Sequence, residues 1–209
     1  MEGNNNAALE NRDYVIVLDK SGSMGDTDTP TGQSRWAYAQ ESTEAIAREV
    51  SKIDKDGITV IPFSSSFKVY ENQTESKLKE IWKEQSPGGG TTLAPVLKQV
   101  FADYMKRKKA GQTKPNGEVL LVVTDGQPSD EKEVAQEIIR FGNQLDNADS
   151  EYGISFIQVG KDPGATQFLK KLDDNLTSQG AKYDIVDTKT MDEVEQIGLT
   201  ETLMAALND

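Results

Sequence analysis

The chain has 209 residues, a formal net charge of −12, and neither histidine nor cysteine. That length suits one domain able to bury a core. The missing residue types exclude disulfides, thiol nucleophiles, zinc–thiolate and iron–sulfur sites, and the commonest general base. The net negative charge argues against a nucleic-acid partner, whose backbone needs cationic surface. Metal chemistry is left to oxygen ligands, which favour magnesium, calcium or manganese.

Residues 1–11 are polar and are expected to form a flexible N-terminus before a single domain over 12–209. There is no apolar stretch of membrane-spanning length and no basic-then-apolar leader, so a cytoplasmic protein is expected. Residues 14–18 (YVIVL) form a short, β-branched run that reads as a fully buried strand. It stops at Asp19, and Ser21, Gly22, Ser23 and Gly25 follow. One carboxylate and two hydroxyls thus leave the carboxyl end of a strand, where open α/β sheets bind ligands. Asp19, Ser21 and Ser23 are candidate ligands of a divalent cation.

The turn-rich segment 25–34 ends at Ser34, a plausible helix cap. Positions 36, 39, 43, 46, 50 and 53 then step by three or four along one helix face. A second strand covers 58–63, with Pro62 expected to end it or force a bulge. A short edge strand is expected near 68–71 and a weak helical piece at 78–83. Next comes SPGGGTTLAPVL, whose glycines at 88–90 let the following loop approach closely. Leu93, Val96, Leu97, Val100, Phe101, Tyr104 and Met105 make a helical stripe starting near Thr92, with Pro95 in its first turn. Thr91 lies in the turn that feeds it. The basic run at 106–114 suits the negative end of that helix.

Residues 119–123 are the most apolar run, hence a central strand, and they end in Thr124, Asp125, Gly126. Ser129 is expected to cap the next helix. A strand at 154–159, a helix at 166–176, a strand at 183–186 and a last helix at 191–207 complete the chain. Strict alternation predicts a doubly wound, Rossmann-like α/β sandwich of three layers, mostly parallel with one antiparallel edge strand.

Hard oxygens therefore recur in three loops: Asp19/Ser21/Ser23, Thr91 beside Thr92, and Asp125. Each has an ordinary explanation alone, since serine, glycine and Asp-Gly make turns and threonine caps helices. Together, at three strand–helix junctions, they point to one oxygen-only site for magnesium, manganese or calcium. Asp26 and Asp28 are read as ordinary acidic turn residues rather than a second ion site, and Trp36 and Trp82 as packing.

D-x-S-G-S after an apolar strand, GGGT before a helix and TDG after a second apolar strand resemble the von Willebrand factor type A domain and its metal-ion-dependent adhesion site. The resemblance spans roughly 12–207. It implies hydroxyl ligands from Ser21, Ser23 and Thr91, with Asp19 and Asp125 binding directly or through water. It also implies a protein partner whose Glu or Asp carboxylate completes the metal's coordination. The short GGGTTLAPVL loop and RWAYA look most like compact intracellular bacterial members, of the tellurium-resistance and stress-associated type. A protein that is monomeric on its own and does not enter the membrane is expected.

Two other classes compete. A haloacid-dehalogenase-like phosphatase would place D-x-D-x-T here, and Ser21 replaces its second acid. P-loop and dinucleotide glycine motifs are absent, and no supported lysine base stands near a serine. A purely structural or calcium-responsive metal-binding domain is the other alternative. The reading favoured is a non-catalytic, metal-dependent interaction domain.

Overall fold

The computed structural model describes residues 9–53, 56–147 and 151–207. Six strands form one sheet: β1 (Asp13–Asp19), β2 (Ile58–Phe63), β3 (Tyr70–Gln73), β4 (Glu118–Thr124), β5 (Tyr152–Gln158) and β6 (Val186–Thr190). Their order is β3-β2-β1-β4-β5-β6. Among the described residues β3 alone of these strands runs antiparallel, against β2; the other neighbours are parallel. Seven α-helices lie among the described residues: α1 (Arg35–Ile53), α2 (Glu75–Glu84), α3 (Ala94–Lys109), α4 (Glu131–Gly142), α5 (Pro163–Asn175), α6 (Met191–Ile197) and α7 (Leu199–Ala205). None of these helices is long and apolar enough to cross a membrane.

The period-2 geometry of the strands sorts the core into two layers. Val15, Val17, Leu120, Val122, Ile154 and Phe156 pack under α3, α4 and α5. Tyr14, Ile16, Leu18, Val119, Leu121 and Val123 pack under α1, α2, α6 and α7. A sheet covered on both faces needs apolar residues at successive positions, and β4 has five in a row. The chain is thus the three-layer α/β sandwich that strand–helix alternation predicts.

Several details depart from the sequence reading. β2 runs straight through Pro62, which pairs with Leu18 of β1. The missing N–H does no harm because Pro62 faces the β3 side at a level that the chain passes before β3 begins; its carbonyl accepts from the Lys68 N–H at 3.3 Å. The irregularity falls earlier in the pairing, between Ile58 and Val60, opposite Asn72 with φ 53°. The edge strand accordingly sits two residues later than expected, and α3 starts at Ala94 rather than near Thr92. β6 follows the 183–186 segment instead of filling it. The C-terminal helix is two helices, broken at Gly198, whose φ of 87° ends α6.

The N-terminal stretch falls largely at residues 1–8, outside the described ones. Leu9 is buried, and its carbonyl accepts from the Tyr14 hydroxyl at 2.6 Å. Trp36 and Trp82 meet edge to face at 5.9 Å, as packing residues should. At the amino ends of the strands, Glu118 has no exposed side-chain surface. It takes an ion pair from Arg107 and a hydrogen bond from the Tyr152 hydroxyl at 2.8 Å. Arg107 also bridges to Asp13 at 2.6 Å. Within the basic run that closes α3, Arg107 and Lys108 are thus ion-paired, Lys108 with Asp146 at 2.8 Å.

Candidate metal centre

β1 and β4 lie side by side, so Asp19 and Asp125 leave the same end of the sheet. Asp19 is fully buried. Its Oδ1 accepts from the Ser21 N–H at 2.7 Å and its Oδ2 from the Thr124 hydroxyl at 2.7 Å. Both donors are neutral, and among the described residues no cation pairs with Asp19. Burial pushes its pKa up to about 6, against the two hydrogen bonds; Asp125 nearby adds to the rise.

Ser21 is buried and caps a short 3₁₀ turn (Gly22–Gly25), yet its side chain makes no capping bond. Its hydroxyl lies 3.2 Å from that of Ser23, which donates to Asp125 Oδ1 at 3.0 Å. Magnesium held at 2.0–2.1 Å by six ligands spaces adjacent ligand oxygens about 3 Å apart. The Ser21–Ser23 and Ser23–Asp125 oxygen pairs stand near that separation, which is also that of a hydrogen-bonded pair. Ser23 is exposed, so the cluster opens to solvent.

Thr91 joins through its backbone. Its carbonyl accepts from the Ser129 N–H at 2.9 Å and the Ser129 hydroxyl at 3.0 Å. Among the described residues the Thr91 hydroxyl makes no hydrogen bond to the other four. The glycine loop before it is stitched to the β1 loop: Gly88 N–H donates to Lys20 O at 2.7 Å and Gly22 N–H to Gly89 O at 3.1 Å. Gly89 is the position that must be glycine, with φ 83° and a Cβ that would crowd Ser64 and Ser65.

Ser129 does not cap α4 as expected, because its hydroxyl is given to Thr91. Asp130 occupies the cap position, and its carboxylate crosses to α3, accepting from Leu93 N–H at 3.0 Å and Ala94 N–H at 2.8 Å. One residue thus fastens the Thr91 loop to the Asp125 loop. Asp130→Ala is expected to cost about 1–2 kcal/mol in a urea melt, the range for a lost helix cap.

Sequence reasoning missed Arg35. Its guanidinium donates to Asp28 Oδ1 and Oδ2, both at 2.7 Å, and to Asp125 Oδ2 at 2.8 Å. Asp28 is thereby held below the usual carboxylate range. Both carboxylate oxygens of Asp28 are thus engaged by Arg35. Thr124 was also missed, although the TDG motif contains it.

Among the described residues no three carboxylates converge. The donor set is two carboxylates with hydroxyls around them, which fits a hard, oxygen-seeking dication and balances its charge without reversing it. The class defined is thus a doubly wound α/β domain with an oxygen-only cluster at the carboxyl edge of its sheet.

A family model described as von Willebrand factor type A domain matches residues 14–127, and one described as copine matches residues 72–207. The chain belongs to the von Willebrand factor type A domain family. No curated protein matches it in sequence. Among solved structures it is similar to manganese-loaded TRAP protein of Plasmodium vivax, with TM-score 0.64 and 14% identity over 96% of this chain and 74% of that one. It is similar to BatB of Bacteroides thetaiotaomicron at TM-score 0.60 and 15% identity, over 93% and 98% of the two chains. A variant of the PilB minor pilin of Streptococcus sanguinis gives TM-score 0.62 and 14% identity, over 95% of this chain and 60% of the pilin. At such identities the likeness is one of fold, and the chain spans only three fifths of that pilin.

Proposed function

We propose that this domain binds a divalent cation through Asp19, Ser21, Ser23, Thr91 and Asp125 and uses it to engage a carboxylate of a protein partner, with no catalysis of its own. The observation that carries the reading is the buried Asp19 charge. It has no compensating cation among the described residues, and it stands beside two spaced hydroxyls and an open face. A buried carboxylate left this way costs stability, and a bound dication would offset that cost. Manganese in the similar TRAP structure supports the metal half of the reading, and the adhesin description of SpaC of Lactobacillus rhamnosus GG, of which this chain spans 29%, supports an adhesive role.

Magnesium, manganese or calcium would each satisfy the ligand chemistry. The bound ion would supply a Lewis-acidic position for an incoming anion. Asp19 sets the charge at the floor of the site, and its own orientation is fixed by Ser21 and Thr124. Ser21 and Ser23 add lone pairs without charge, so two carboxylates do not fully quench the ion's pull on an anion. Thr91 is held at the rim by Ser129. The protein's net charge of −12 repels a partner carboxylate when no ion is present, so the interaction should need metal.

Thr91→Ala is the informative variant because it removes a ligand oxygen and leaves the charge unchanged. Partner binding is expected to fall roughly tenfold, about 1.4 kcal/mol, with a smaller loss of metal affinity. The measurement is a pull-down followed by calorimetry with magnesium and with chelator, on wild type and Thr91→Ala. Equal partner binding in all four conditions would mean that the partner docks elsewhere and that the ion is only structural.

A further inference from the structure

Arg35 opens α1 and is nearly buried, with 11% of its side chain exposed; the Asp125 side chain it grips is wholly buried. Three of its nitrogens are committed, two to Asp28 and one to Asp125 Oδ2. Asp26 Oδ2 lies further off, 3.8 Å from Nη1. The guanidinium also presses on the backbone at Gly160, where φ is 75° and a Cβ would come within 2.6 Å of Nε. Two carboxylates and a bare glycine therefore fix one pose of the guanidinium fork.

The consequence falls on Asp125. Its Oδ2 is held in a buried, charge-assisted bond, and its Oδ1 faces Ser23. Magnesium and manganese accept one oxygen per carboxylate in a tight octahedron. Calcium takes six to eight oxygens and readily binds both oxygens of one carboxylate. We propose that Arg35 is the specificity-determining residue of the metal centre: by holding Asp125 Oδ2 it denies two-oxygen chelation and favours small octahedral ions over calcium. The inference rests on the metal-binding reading above. Arg35 also acts through its charge, which weakens the pull on every dication alike. That effect cancels in the ratio of calcium to magnesium affinity, so the ratio isolates the chelation effect.

The test is calorimetric titration of wild type, Arg35→Met, Arg35→Lys and Asp28→Asn with magnesium chloride and with calcium chloride. Arg35→Met removes charge and donors while keeping an apolar stem. Both ions should bind more tightly, and the ratio should move toward calcium by roughly tenfold, about 1.4 kcal/mol. Arg35→Lys keeps the charge but cannot fork between two carboxylates, so its ratio should fall between those of wild type and Arg35→Met. Asp28→Asn removes only the outer anchor and should leave the ratio at its wild-type value. An equal gain for both ions in Arg35→Met would overturn the proposal, leaving Arg35 a charge and nothing more. Should circular dichroism in chelator show Arg35→Met unfolded, the lysine variant decides, and a wild-type ratio there overturns the proposal. Wild type that binds neither ion would instead overturn the metal-binding reading.

Discussion

Asp19→Asn is expected to abolish divalent-cation binding and, in chelator at neutral pH, to make the protein more stable rather than less. The asparagine can keep both local hydrogen bonds, accepting from the Ser21 N–H and donating to the Thr124 hydroxyl, so little is lost there. What disappears is a fully buried charge. Desolvation lifts the folded-state pKa of Asp19 to about 6, above the ordinary aspartate value of 3.8. Because the folded state holds the proton more tightly, the associated stability is fully present below about pH 4 and lost as pH rises through about 6. A rise of roughly two pKa units corresponds to about 3 kcal/mol, or on the order of 6–10 °C in melting temperature for a domain of this size. Thermal melts in chelator at pH 4 and pH 7.5 give the check. The advantage of the variant should be large at the higher pH and absent at the lower. An Asp19→Asn protein that still titrates with magnesium would remove Asp19 from the site.

The second large effect lies at the other end of the sheet. Arg107→Met should destabilise the protein by about 3–5 kcal/mol at pH 7, because it strands the buried Glu118 carboxylate with only the Tyr152 hydroxyl. Burial already pushes the Glu118 pKa up, against the pull of Arg107, so losing the cation raises it further. Protonation then relieves the strain, and the penalty should shrink as pH falls. The double variant Arg107→Met, Glu118→Gln removes the charge as well as its partner and should recover most of the loss. Urea melts of the single and double variants decide this. A double variant as unstable as the single one would mean that Arg107 matters through packing on Tyr104 and not through its charge. Metal affinity should not change, since Asp13 and Asp19 stand at opposite ends of the seven-residue β1, about 20 Å apart along the strand.

The central strands were legible because full burial leaves a plain mark: β1 and β4 are uninterrupted apolar runs that stop at polar residues. Asp19, Ser21, Ser23 and Asp125 were legible for a related reason, as hard oxygens beside small residues at the ends of those runs. The structure links these four by hydrogen bonds. Arg35 was not legible. An arginine at the start of an amphipathic helix looks like a solvated charge, and only the fold carries Asp125 to it from 90 positions away. Asp130 misleads in the same way, because the helix end it serves belongs to a different helix from the one it precedes. Edges were blurred where local pattern is weak: β3 and β6 have exposed or half-buried positions, so nothing apolar marks their limits. The split at Gly198 rests on one backbone angle, and residue periodicity passes over it.

Ser23 and Asp125 touch although 102 positions separate them along the chain. An ion held by both would close a ring of about a hundred residues, and because the unfolded chain cannot present both ligands together, binding would stabilise the folded state by mass action. Withdrawing the ion would then do more than empty a binding face. It would cut a clasp between the two halves of the polypeptide, and so couple the readiness of the surface to the integrity of the whole sheet.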